Sequence, residues 1–374
     1  MSIGTSPHTR IFGLDLLRAV AILLVVYSHA DDLLYRFFSV DTGVSDVDGV
    51  DLFFVLSGYL IGGILLRTAL QSSIPWHLRL ADFWQRRWFR TLPNYYLFLL
   101  INIAMVHFAL APGLININTL AYFVFLQNFM VPLDLLFFES WSLAIEEWFY
   151  LFFPLLLLVV LVLCRNVKFA FFTAALIMIV FSTVMRFPAY HAVDSMFKWD
   201  LLVRKIVLLR LDTIGFGALA AWVHYYFSRS WERYKFPLFI VGLVGFSIAV
   251  WLRGDDRLWY MSACYYSFAG LSMALWLPAL SLWISEGKWG GPITFLSKIS
   301  YAMYLVNLPL RSLITPLLED SSLARTIMIY TLYWVLCIAF ASVVYRFWER
   351  PFMELRKRLS KRLLTPSTEV TVSS

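Results

Sequence analysis

Apolar runs long enough to cross a lipid bilayer recur from one end of this chain to the other, and they leave it one kind of fold. Within a bilayer every backbone polar group must be bonded inside the structure, so runs of this length have to be helical. They fall near 12–30, 49–66, 92–110, 141–163, 168–187, 207–227, 236–252, 259–284, 294–316 and 326–347. Hydrophobic residues make up 60% of the chain and its mean hydropathy is +0.72, in keeping with that reading. The expected fold is all-α, a polytopic integral membrane bundle of about ten transmembrane helices. No loop is long enough for a soluble domain, and no repeat or Gly-rich phosphate loop is present. Function therefore belongs inside the bundle or at its two faces. The net charge of +7 does not indicate a nucleic-acid partner, because the basic residues gather in loops and at the end of the chain. Cys164, Cys264 and Cys337 have neither metal-like nor disulfide-like spacing and read as packing residues, and no metal site is expected. The first run lacks a small-residue cleavage site, so no cleavable signal peptide is expected.

Charge bias threads the chain through the membrane. With Arg10 cytoplasmic, the acidic loop of Asp31, Asp32, Asp41, Asp46 and Asp48 lies outside. The next loop, with Arg67, Arg79, Arg86, Arg87 and Arg90, then lies inside. The basic residues Arg350, Arg356, Lys357, Arg358, Lys361 and Arg362 also belong inside, which requires an even number of spans. A further span at 116–131 would export them and invert the loop around Arg229, Arg233 and Lys235. That short stretch holds Asn116, Asn118 and Gln127, and reads as a re-entrant or interfacial element on the outer side. The organisation is a transmembrane domain over 10–355, then a basic cytoplasmic tail over 356–374 with a polar, disordered end. Both termini are expected in the cytoplasm.

Polar groups inside the apolar runs are costly and point to function or to helix pairing. The first run carries Asp15, Arg18 and His29. Arg18 and His29 are eleven steps apart, about three helical turns, so they share a face roughly 16 Å apart along the axis. Asp15, one turn before Arg18, is placed to pair with it. A packing ion pair with an interfacial histidine is the plainer alternative. Asp51 opens the second run, where Ser57-Gly58 allows close helix approach. The fourth run opens with Glu139, Ser140, Trp141 and Ser142 and continues to Glu146 and Glu147. Adjacent residues point about 100° apart, so at most one of the two glutamates shares the face of Ser142. The topology puts both at a depth similar to His29, where a carboxylate would raise the basicity of the imidazole and fix its tautomer. Helix–helix glue is the alternative. Arg86, Arg87 and Arg90 are either topogenic charge or a phosphate site. Arg210 and Asp212 read as another internal ion pair.

Taken in order, these residues resemble the membrane-bound acyltransferase 3 family. The likeness runs through Gly13-Leu14-Asp15-Leu16-Leu17-Arg18 with His29, Val50 to Tyr59, Arg86 to Pro93, and Trp141-Ser142-Leu143 with Glu146-Glu147 and Phe149-Tyr150. It continues through Arg210-Leu211-Asp212, Ile299 to Leu305 and Glu349-Arg350-Pro351-Phe352, so it covers roughly 10–355. The resemblance implies a ten-span enzyme of the bacterial inner membrane. Such enzymes carry acyl groups, often acetyl, from coenzyme A thioesters to hydroxyls of sugars, polysaccharides or lipid-linked glycans. It implies that Arg18 and His29 form the activity motif and that Glu146 or Glu147 is the family acid. Relatives often have histidine where this chain has Asn307, which leaves His29 as the one histidine so implied. Larger relatives carry an appended extracytoplasmic hydrolase-like domain, which is not expected here.

The chemistry suits the residues. Acyl transfer from a thioester to a hydroxyl needs a base for the hydroxyl proton, and histidine is suited to that step. His29 is the expected base, oriented by Glu146 or Glu147, with Arg86, Arg87, Arg90 and Arg18 anchoring the phosphates of acyl-CoA. No permanently bound cofactor is expected. The other reading is a secondary transporter or flippase using the same buried ions as a coupling site. It lacks an internal repeat and matched Gly/Pro-broken helices.

Overall fold

The computed structural model describes residues 10–31, 49–71, 74–318 and 322–364. Asp32, Asp41, Asp46 and Asp48 of the acidic loop, and the polar end after 364, lie outside the described residues. Among the described residues every regular element is helical. The longer helices are α1 (Phe12–Ser28), α2 (Gly49–Leu70), α3 (Trp76–His107), α4 (Ser140–Cys164), α5 (Val167–Tyr190), α6 (Leu211–Tyr226), α7 (Lys235–Trp251), α8 (Tyr265–Ala274), α9 (Gly290–Ile314), α10 (Leu323–Val344) and α11 (Arg350–Leu364).

Four segments among the described residues are both long and apolar enough to cross a membrane: Gly49–Leu70, Ser140–Cys164, Val167–Tyr190 and Leu323–Leu359. Their outer faces expose Val159, Leu163, Val180, Val184, Val335 and Val343, side chains suited to lipid rather than water. This is an integral membrane protein. The remaining helices are shorter or less apolar, so the fold by itself does not supply a count of ten.

Small residues set the tightest packing. A Cβ on Gly58 would stand 1.9 Å from the carbonyl oxygen of Ile214, and one on Gly217 would stand 2.1 Å from that of Val55. Gly58 and Gly62 of α2 thus let it lie backbone to backbone along α6, as small residues do in membrane helix pairs. The two helices run parallel, since Asp51 meets Arg210 and Gly62 meets Ala218 and Ala221. Helix α4 also runs parallel to α2, with Trp141 against Phe54 and Ser57 on Glu146. Helix α3 runs the other way, with Trp84 bonded at Tyr150 and Thr91 at Glu147. The segment between α3 and α4 therefore begins and ends at one end of the bundle.

Local geometry refines the sequence reading segment by segment. Stretch 116–131 forms a single four-residue helix, Thr119–Tyr122, which rises only about 6 Å. Of the arginines expected in a loop, Arg67 lies in the last turn of α2 and the others lie on α3, a continuous helix of 32 residues and hence about 48 Å, so its first half extends beyond a hydrocarbon core. The single span at 259–284 is three helices, Leu258–Ala263, α8 and Leu277–Ser281. The backbone is distorted but still right-handed at Cys264 (φ −112°), and Pro278 at the start of the third piece opens a new helix. At the other end, α11 runs through the expected boundary at 355/356 and packs along α3.

Candidate active site

Five helices converge on one cavity. Arg18 of α1, Ser57 of α2, Arg87, Arg90 and Thr91 of α3, Ser142, Glu146 and Tyr150 of α4, and Ser300, Tyr301 and Tyr304 of α9 line it. About 820 Å³ between them is not filled by atoms, part of it open to solvent.

Each charge in it is held differently. Arg18 bonds Asp15 at 3.2 Å and Ser297 at 3.0 Å, and Ser297 donates to Asp15 at 2.7 Å. Asp15 also accepts from Arg10. Asp15 and Arg18 thus meet as their spacing predicts, with a second arginine sharing the carboxylate. Glu146 accepts from Ser57 at 2.9 Å and from Tyr150 at 2.8 Å. The side chains of Arg87 and Arg90 make no hydrogen bond or ion pair with any described residue, and the buried Nε of Arg87 has no acceptor. Arg86 turns away to Asp82, 2.7 Å distant.

The two glutamates part company as adjacent helical residues must. Glu146 faces the cavity with Ser142, whereas Glu147 faces α3, where Thr91 donates to it at 2.6 Å. Neither bonds His29. The expected Glu146–His29 or Glu147–His29 pairing is not what the fold makes, and the reason is register. His29 bonds Asn307, Ser142 already meets Tyr304 one turn further in (2.6 Å), and Glu146 lies another turn beyond. Glu146 therefore sits at the level of Arg18.

His29 is also not inside the first helix; it caps α1, its backbone N–H bonded to the Val25 carbonyl. Its Nδ1 lies 2.5 Å from the Oδ1 of Asn307. The Nδ2 of Asn307 donates to the carbonyls of Met303 (3.1 Å) and Tyr304 (2.6 Å), so the oxygen of the amide faces the ring. The imidazole proton then belongs on Nδ1, which leaves Nε2 as the basic nitrogen. The residue expected to matter only as a missing histidine is the one that sets the tautomer.

One face of α9 joins the two regions. Ser297, the adjacent Ser300 and Tyr301, then Tyr304 and Asn307 follow one another by about a turn, and run from the Asp15–Arg18 pair to His29. The Tyr304 hydroxyl also donates to the Glu139 carbonyl at 2.9 Å. Glu139, just before α4, is buried, and burial pushes its carboxyl up to about 8. The sequence reading gave it no role, although a third glutamate in one block was a visible signal.

The expected Arg210–Asp212 pair is replaced by two crossed pairs. Arg210 binds Asp51, and Asp212 binds Arg186 at 2.8 Å. All four side chains are within 1% of full burial. Arg186 was missed because it lies near the end of its apolar run, where a basic residue looks interfacial. Positions 210 and 212 are about 200° apart on a helix and reach different neighbours. Cys164, Cys264 and Cys337 are free thiols, and no metal-ligand cluster occurs among the described residues.

The family profile described as "Acyltransferase domain" matches residues 11–346, almost the whole of the bundle just described. The chain belongs to this family. It is 26% identical over 369 residues to a Staphylococcus aureus (strain COL) protein named "Putative O-acetyltransferase SACOL0978". It is 27% identical over 364 residues to "O-acetyltransferase OatA" of Staphylococcus aureus (strain NCTC 8325 / PS 47). Each match covers 91% of this chain, and the chain spans 57% and 56% of the length of those two relatives. No solved structure matches it.

Proposed function

We propose that this acyltransferase-family protein moves an acyl group, acetyl in the simplest case, from a coenzyme A thioester to a hydroxyl of a sugar, polysaccharide or lipid-linked glycan. The observation that carries the reading is the pairing of a cavity, holding two arginines that lack a direct ion pair, with a histidine whose Nδ1 faces the Asn307 oxygen. Arg87 and Arg90, with Arg18 deeper in, bind the anionic donor, since guanidinium forks suit phosphate oxygens. The pantetheine arm lies along the polar face of α9 and brings the thioester past Tyr304 and Ser142 towards His29. Arg18 and His29 are roughly 16 Å apart by helix rise, a span an extended arm covers.

At His29, Nε2 takes the proton of the acceptor hydroxyl as its oxygen attacks the thioester carbonyl. The C–S bond breaks, the sulfur leaves with the electron pair, and the proton held on the imidazole returns to the thiolate. Asn307 keeps the ring in the reactive tautomer, and its oxygen supports the imidazolium that forms. Glu146 acts as the counter-charge of the arginine cavity rather than as the partner of His29. Asp51, Arg210, Asp212 and Arg186 hold α2, α5 and α6 in place around the site.

For topology we propose ten crossings in a bacterial inner membrane. The arginine end, where Arg10 and α11 both lie, is cytoplasmic, and 116–131 is re-entrant from the outer side. Membranes containing the protein, given acetyl-CoA labelled in the acetyl group, should transfer label to a hydroxylated acceptor pool. Label that stays in the donor with every hydroxylated acceptor pool would overturn the reading.

A further inference from the structure

Helix α11 carries basic residues that positive-inside topology accounts for only in sign. The helix is docked rather than loose. Glu349, 4% exposed and immediately before it, accepts from Asn94 of α3 at 3.0 Å. Seven residues later, two turns along, Arg356 lies against the first half of α3, with Nη1 3.4 Å from the Arg86 carbonyl oxygen. There it is in electrostatic reach of Arg86, Arg87 and Arg90. Its neighbours Lys357 and Arg358 are exposed.

Four guanidinium groups from two distant parts of the sequence thus share one region. Asp82 is paired with Arg86, and Glu146 is bonded to Ser57 and Tyr150. The side chains of Arg87 and Arg90 feel the charge of Glu146 but form no hydrogen bond or ion pair among the described residues. Gathering like charges costs free energy unless an anion joins them. Topology requires these residues at one end of the bundle but not against each other.

We propose that Arg356 is a donor-binding residue. With Arg86, Arg87 and Arg90 it forms a site for the polyphosphate end of a nucleotide-bearing acyl donor. Arg87 and Arg90 line the cavity and take the phosphates nearest the pantetheine arm, while Arg356 and Arg86, outside that lining, take the outermost. The site rests on the acyltransferase reading for the identity of the donor, but not for its charge.

The test compares acetyl-CoA with acetyl-pantetheine, which keeps the thioester and arm and lacks the phosphates, using the purified full chain. Arg356→Ala should raise KM for acetyl-CoA about tenfold, as loss of one charge-assisted contact does, with kcat unchanged. KM for acetyl-pantetheine should stay put. Arg356→Lys should recover most of the loss, and Lys357→Ala, with the same change in net charge, should match the unaltered protein. Binding of adenosine 3′,5′-bisphosphate by calorimetry should give the same ranking without turnover. If Arg356→Ala shifts both donors equally, or neither, the proposal is overturned and the acyltransferase reading stands. If the unaltered protein transfers no acyl group yet binds the bisphosphate in that ranking, the anion site stands and the reading falls.

Discussion

The Asn307 amide is anchored by two backbone carbonyls and therefore presents only its oxygen to the imidazole of His29. A tautomer fixed in this way makes separate demands on the two residues. His29→Ala should abolish acyl transfer while leaving expression and membrane insertion near normal. Asn307→Leu keeps the base but frees its tautomer and removes support for the imidazolium, so kcat should fall about 10- to 100-fold with little change in donor KM. His224 provides the control. It bonds Tyr59 at 2.6 Å and stacks on Trp231 with ring centroids 4.8 Å apart, outside the cavity lining, so His224→Ala should retain kcat. Comparable losses of kcat in all three variants would show that the histidines act through folding alone. At this scale the sequence was partly legible. Charges in apolar runs marked Arg18, His29 and Glu146, because such residues are rarely idle. Their partners were not legible, because Asn307 and Ser57 reach them from helices far away in sequence and only the register of α9 and α2 decides which atoms meet.

Helices were legible to within a few residues wherever apolarity ran unbroken, as in α4, α5 and α10. They were not legible where geometry rather than composition ends an element. The break at Cys264 leaves no Gly, and α3 continues through charged residues that look like a loop. Pairing between elements was hidden for the same reason as pairing between residues. The crossed pairs Asp51–Arg210 and Arg186–Asp212 tie α2 and α5 to the start of α6. Arg186→Leu leaves Asp212 buried without its partner, at a cost of about 3–5 kcal/mol. Thermal unfolding in detergent should therefore occur well below that of the unaltered protein, with partial recovery in Arg186→Leu/Asp212→Leu. A single variant as stable as the parent would show that the pair is dispensable. The antiparallel run of α3 against α4 carries the topology proposal. A reporter fused at residue 135 should read as external, and reporters at 75 and 230 as cytoplasmic. An internal reading at 135 would mean that 116–131 crosses the membrane and that His29 and Glu146 belong to different faces than proposed.

The whole molecule places its cationic cavity and its histidine at different depths, joined by one polar face of α9. A donor bound at one end and an acceptor bound at the other would make the bundle a path for the acyl group across the membrane as well as a catalyst. Sealed inside-out vesicles loaded with a hydroxylated acceptor and supplied externally with acetyl-CoA test this most directly. The account predicts that coenzyme A is released to the outer, cytoplasmic side while the acylated product accumulates in the lumen, and that both stop with His29→Ala. Acylated product formed on the same side as the released coenzyme A would contradict it.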